Sequence, residues 1–475
     1  MKKILLLSLA LLLFSACNDR KNRSIYEDVS AFIEKNQSIS YFGYVDVKSI
    51  LEKSDYESIE KIGAEIAKEV KLFDKLISKN QPIFIAVEGP SDLESNVPLM
   101  YVFAEVTNRD SLVSNIQKKG FDIEKSKMFD LHESGDVAFA ITDNRVIFIT
   151  KPGLNDGKKI IEKAIESLNS ESPDNKVKDI LSTEGDIVIG LDLTATYSNF
   201  KNFTQMEESK KKELEEITKN SYSQMVVKFE TGAVDIEIKN FVTDELKEYY
   251  GMASDAKEVT SKLGSGPVQA AFVMNTDMRK IQDFINRFSP NLLDEIGRNA
   301  GGEAQFALAM LGDEGIAGLF SGKLGIALMG KPDITGAFKP EFNFYMELGN
   351  SVLPMAKGMI GGFSASMAKI DLVGSKLNGF TSSSFLPGKG RLNLPKGCEN
   401  FGKNPICGFV NFEGLDMSNF DLDGNERYLN LFQFLTVDMD SDGGLIHLEV
   451  KNKQKNVLKI LVDEASQDIK DRVNS

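Results

Sequence analysis

The sequence predicts an α+β protein, internally duplicated, with two halves that each hold a largely antiparallel sheet and packed helices. Three observations predict it. A small unit recurs four times, an apolar strand that closes on Asp or Asn and leads into an amphipathic stretch: Ile39–Asp46, Asp186–Asp192, Val268–Asn275 and Ile406–Asn411. The first unit stands to the third nearly as the second stands to the fourth. The segment beginning Thr231-Gly232 and ending at Asn240 also aligns without gaps on the one beginning Gly443-Gly444, at an offset of 212 residues. Each member is a period-2 strand after a glycine turn, the form of a β-hairpin. Finally, mixed strands and helices with frequent hairpins give α+β rather than a parallel sheet.

Taken in order, the chain opens with Lys2-Lys3, an apolar run from Ile4 to Phe14, and Phe14-Ser15-Ala16-Cys17. That run is shorter than the roughly 20 apolar residues a spanning helix needs, so residues 1–16 read as a signal peptide. The Phe-Ser-Ala-Cys ending resembles the lipobox of bacterial lipoproteins, which implies that the leader is cut before Cys17 and that Cys17 is acylated. Several buried acyl chains anchor a protein stably where one does not. Residues 17–24 are then the lipidated cysteine and its tether, residues 25–250 the first half and residues 251–475 the second. The tether carries Arg20, Lys21 and Arg23. Surface-exported lipoproteins of Bacteroidota tend to carry acidic residues there, so the expected address is the periplasmic face of the outer membrane rather than the cell surface.

Further along, Val137–Thr142 and Arg145–Thr150 flank a turn at Asp143-Asn144 and predict a hairpin. Strand-then-helix pieces are expected at Leu99–Glu105 with Asp110–Lys119, and at Glu341–Leu348 with Ser351–Met359. The polar residue closing each repeated strand suits an N-cap. Thr276–Phe288 should be a helix with Met278, Ile281, Phe284, Ile285 and Phe288 on one face. The lysine-rich run Ser209–Lys219 reads as a solvated helical face.

The lipobox, the strand ending at Asp46 with Ser49–Ser54 behind it, the duplicated body and the final Leu-Glu-Val-Lys-Asn-Lys strand together resemble a Bacteroidota lipoprotein family of unknown function. The resemblance spans nearly the whole mature chain. It implies an envelope location and carries no catalytic residues.

Composition narrows the function classes. The chain has 475 residues and a formal net charge of −14, and loss of Lys2 and Lys3 makes it more acidic still. Such a surface repels polyanions, so nucleic acid is not an expected partner. Trp is absent, which lowers the prospect of a sugar cleft. Setting Cys17 aside leaves Cys398 and Cys407, which in an exported protein form either a disulfide or two reduced thiols with Cys407 facing a core.

Four further patterns each have a functional and a structural reading. Asp438, Asp440, Asp442, Gly443 and Glu449 follow calcium-loop spacing. A calcium loop needs helices on both sides, whereas the flanks here are strand-like and Glu449 aligns with Glu237 in the repeat, so a hairpin turn is expected instead. Gly325–Lys331 has phosphate-loop spacing, but Pro332 replaces the magnesium-binding hydroxyl and the run reads as a strand. His132 and His447 are far apart and read as surface or structural residues. Among small residues in 349–371, Met355, Met359 and Phe363 could line an apolar ligand site, or form an ordinary core helix.

These residues predict a non-catalytic envelope lipoprotein, a binding or assembly component held to the membrane through Cys17 beside a protein partner. No metal site and no cofactor are expected. A carrier of lipid or another amphiphile is the second reading, and a carboxylate-based hydrolase of envelope polymers the third.

Overall fold

The computed structural model describes residues 24–58, 76–78, 80–89, 98–126, 128–170, 176–198, 206–289, 315–329, 341–363, 369–380, 391–413 and 426–474. It is α+β with large antiparallel sheets, as the strand and helix patterns predict. The chain divides into two compact units, one within residues 1–51 and 60–199, the other comprising 52–59 and 200–475.

The first unit carries strands β1 (Ile39–Val45), β2 (Ile83–Glu88), β3 (Met100–Glu105), β4 (Glu124–Lys125), β5 (Asp130–Ser134), β6 (Val137–Ile141), β7 (Arg145–Thr150) and β8 (Ile187–Asp192). They pair antiparallel in the order β8-β1-β2-β3-β7-β6-β5-β4. Helix α1 (Ile25–Lys35) starts at a capping box, in which the Ser24 hydroxyl accepts from Glu27 N–H and the Glu27 carboxylate accepts from Ser24 N–H. Its buried Phe32 sits 4.8 Å from the Tyr101 ring and 4.9 Å from the Phe103 ring. Helices at Gly157–Leu168 and Lys176–Leu181 pack beside α1 and complete that layer.

The second unit carries β9 (Tyr222–Phe229), β10 (Ala233–Phe241), β11 (Gly266–Asn275), β12 (Phe320–Met329), β13 (Phe342–Leu348), β14 (Lys369–Val373), β15 (Lys376–Phe380), β16 (Leu392–Asn393), β17 (Ile406–Asn411), β18 (Phe432–Asp440) and β19 (Gly443–Val450). Its antiparallel order is β9-β10-β19-β18-β17-β11-β12-β13-β15-β14, with β16 lying parallel to the start of β11. The path β17-β11-β12-β13-β15-β14 repeats, strand for strand, the path β8-β1-β2-β3-β7-β6 of the first unit.

The expected boundary at residue 250/251 falls inside the second unit. The physical reason is the ladder between β10 and β19, from Ala233↔Glu449 to Lys239↔Gly443, which holds the hairpin at 222–241 in the second unit's sheet. Of the four polar strand ends, Asp46 accepts from Ser49 N–H and Asp192 from Ala195 N–H, as N-caps do. Asn411 accepts from Glu413 N–H. Asn275 instead donates to the Asp255 carbonyl, and Asp277 caps the following helix, α2 (Met278–Phe288). On that helix Ile285, Phe288 and also Gln282 are buried, the last accepting from Ile316 N–H.

Candidate functional site: an apolar sheet face

Residues opposite each other in an antiparallel ladder project to the same side, and alternate residues project to opposite sides. The register of the second unit therefore sorts its side chains without ambiguity. One side supplies the core: Ala271, Val273, Ala327, Tyr345, Cys407, Phe409 and Phe434 are buried with Val259 and Leu263 of the short helix and turn at 257–263. Toward β10 and β19 this same side becomes polar and carries Asp235, Glu237, His447 and Glu449.

The other side is apolar over three rows and turns polar beyond them at Asn240 and Ser223. Its middle row runs Ile236, Ile446, Val437, Gly408, Phe272, Ile326, Phe344 across β10, β19, β18, β17, β11, β12 and β13. One step along the strands lies Val234, Leu448, Leu435, Val410, Ala270, Leu328, Phe342, and one step the other way Ile238, Gly444, Met439, Ile406, Met274, Leu324, Met346. No charged or hydrogen-bonding side chain interrupts the three rows. Every side chain in them is half-buried except Ile326, which is 47% exposed. The floor is smoothed by rings over glycines: a Cβ added to Gly408 would meet Phe272 at 3.3 Å, and one on Gly379 would fall inside the Phe344 ring.

The first unit shows the same division. Phe42, Phe84, Tyr101 and Phe103 are buried on one side, while Ile189, Ile85, Val102 and Phe148 form a half-buried row with Gly43 on the other.

The residues singled out from the sequence do not converge on a site. Cys17 lies outside the described residues. Met355 is exposed on the helix Leu353–Phe363, whose backbone also contains Met359 and Phe363, but the side chains of those two lie outside what is described. Cys398 and Cys407 are free, buried thiols, so the bridged alternative gives way to the core one. Cys407 donates to the Asn404 carbonyl at 3.3 Å, and burial pushes Cys398 up to about 12 and Cys407 up to about 11.

The calcium-spaced carboxylates belong to the β18–β19 hairpin, as expected, and each has other partners. Asp438 accepts from Asn404 at 2.6 Å, Asp440 accepts from Asp442 N–H at 2.8 Å, and Asp442 pairs with Lys247 at 2.5 Å. Glu449 sits opposite Phe434, far up the strand from the Asp440↔Gly443 turn, about 20 Å away at the usual strand rise. It bonds Lys453 and His447. Gly325–Met329 is strand, so the phosphate-loop spacing holds no loop there.

His132 is structural: its Nδ1 contacts the Asp122 carbonyl at 2.7 Å and its ring lies 5.0 Å from Phe139. His447 is held by Asp235 at 2.5 Å and Glu449 at 3.3 Å. Sequence reasoning missed that partner although a signal was present, since the gapless alignment at offset 212 places Asp235 on His447. The pair faces the polar side, and among the described residues no serine, threonine or cysteine is hydrogen-bonded to the imidazole in the way a nucleophile would be. Among the described residues no helix is long and apolar enough to cross a membrane.

No family model matches the chain, and no curated protein matches it. Two crystal forms of a protein named TP0453 match across 72% of this chain. Form III covers 89% of that chain at 10% identity and a TM-score of 0.22. Form I covers 88% of it at 8% identity and a TM-score of 0.19. Similarity at that level carries no argument about fold or function.

Proposed function

We propose that this protein is a non-catalytic cell-envelope lipoprotein of the Bacteroidota family it resembles, anchored through Cys17 on the periplasmic side of the outer membrane, and that it works by binding. The observation that carries the binding part is the three-row apolar face. A sheet normally covers a face of that composition with another layer, as Val457 and Ile460 of the C-terminal helix do for Val450 and Val234 at its edge, and apolar surface beyond such a layer marks an interaction site. The anchor rests on the sequence around Cys17. The duplicated origin of the two halves is part of the same reading, supported by the repeated strand path and by Asp235 standing opposite its own equivalent, His447.

Two occupants suit an apolar face, a protein neighbour and an amphiphile. The test is native mass spectrometry of the full-length protein taken from its own envelope in mild detergent. Bound polypeptide or lipid mass is the expected result. The bare chain, together with a pH-dependent or metal-dependent activity on envelope polymers, would replace binding by hydrolysis. A Cys17→Ala chain that stays membrane-bound would remove the anchor.

A further inference from the structure

We propose that the outer edge of β8 in the first unit docks a strand from a protein partner, an extended segment with apolar residues at alternate positions and basic residues at its two ends. This site is separate from the apolar face of the second unit and does not rest on it.

The edge follows from hydrogen-bond parity. β8 runs antiparallel to β1 without a register shift, from Val45↔Ile187 to Tyr41↔Leu191. Just beyond that ladder, Asp46 N–H donates to the Asp186 carbonyl at 2.8 Å. Bonded and non-bonded pairs alternate along an antiparallel ladder. Val188 and Gly190 therefore bond to β1, while the backbone groups of Ile187, Ile189 and Leu191 point the other way. Among the described residues β1 is the only strand paired with β8, and no other backbone bond reaches those three residues. Open edges are normally blunted by proline, lysine, a bulge or shortness. β4 ends the same sheet on its far side with two residues, both charged and exposed. β8 reads Ile-Val-Ile-Gly-Leu-Asp and has none of these devices.

The second unit shows what such an edge accepts. Asn275 N–H donates to the Pro405 carbonyl at 2.8 Å, as Asp46 does to Asp186. By that match Ile406, Gly408 and Val410 of β17 hold the places of Ile187, Ile189 and Leu191. They take β18 as an antiparallel neighbour, from Ile406↔Met439 to Val410↔Leu435. Phe412 N–H continues that ladder to the Gln433 carbonyl at 2.9 Å.

Charge selects the occupant. Where β17 is flanked by Pro405 and ends at Asn411, β8 is flanked by Asp186 and ends at Asp192, with Glu184 just outside. A second copy paired about Ile189 would set Asp186 opposite the partner's Asp192, and like charges across a ladder repel. A foreign strand with Lys or Arg at those two positions makes both ends attractive.

The probe is a blocked, fluorescent peptide, Lys-Val-Thr-Val-Thr-Val-Lys. Its valines fall opposite Ile187, Ile189 and Leu191, and its lysines opposite the two aspartates. It is added to the full lipidated chain in mild detergent and followed by anisotropy and by hydrogen exchange of fragments covering residues 186–192. Binding with new protection in β8 is the expected result. Methylating the central valine nitrogen, which faces β8, should abolish binding, whereas methylating a threonine nitrogen, which faces away, should not. Glutamates in place of the lysines should weaken it about tenfold. Ile189→Pro removes an outward N–H and no bond to β1, and should weaken it as much. Should that variant fold poorly, the two methylated peptides decide on the unaltered chain. No protection in β8, or equal loss from both methylations, overturns the inference. Protection that grows with protein concentration before peptide is added gives the edge to a second copy and overturns it too. A polypeptide bound in native mass spectrometry while β8 stays unprotected leaves the binding reading standing and removes only this edge.

Discussion

Gly443 opens β19 at φ +138°, and a Cβ there would lie 2.0 Å from the Ile238 carbonyl oxygen, in the ladder that joins the aligned hairpins. Strain and clash act together at this position, so Gly443→Ala should cost more than about 2 kcal/mol in a urea titration. Gly374 provides the comparison. It has φ +66° and open space around its Cα, so Gly374→Ala carries only the backbone term, about 1 kcal/mol. Equal losses at the two glycines would mean that the close approach at Gly443 relaxes without consequence. At the same scale the cysteines show how little spacing alone decides. Cys398 and Cys407 lie in one buried cluster as thiols, because Cys407 is drawn toward Asn404 and Asp438.

Helix α2 was legible in the sequence as an amphipathic element, and its apolar face is where the pattern put it, save that Gln282 is buried too. The amide can go inside because Ile316 N–H and Asn286 satisfy it. Phe288 is 1% exposed and 5.0 Å from the Phe284 ring. Phe288→Ala should therefore lower stability by about 3–5 kcal/mol, read from the denaturation midpoint, and a loss below about 1 kcal/mol would show that the helix does not cap a packed core. The strands teach a different lesson. In β10 and β19 polar and apolar residues alternate, and the polar side was readable from sequence. In β17 up to Val410 and in β12 from Leu324 on, both sides are apolar. A run of that kind in an antiparallel sheet signals two apolar surroundings rather than one, a signal that the strand reading used only to place the strands.

Across the whole molecule the carboxylates set the response to pH. Hydrogen bonds from Lys228 to Glu237, from Lys323 to Glu258 and from Arg279 to Asp277 hold all three below the usual carboxylate range. Burial alone would raise Glu449, but Lys453 and His447 outweigh it and lower it as well. A carboxylate whose folded value is depressed adds stability above its unfolded value near 4 and loses it as pH falls through the folded value. The urea midpoint should thus hold between about pH 7 and 5 and decline below about 4; a midpoint steady down to pH 3 would mean that these half-exposed pairs contribute nothing.

The sequence by itself determined the class of fold, the hairpins, the repeated strand units and the helix faces, because these follow from residue-to-residue periodicity, which is local. It also carries the reading of Cys17, which depends on a short motif. Tertiary structure decided what depends on pairing between distant strands. The hairpin of β9 and β10 belongs to the second unit because its partner strand lies more than two hundred residues away, where no local pattern reaches. The three apolar rows exist only once the register of the ladders aligns side chains from seven strands on one side of the sheet.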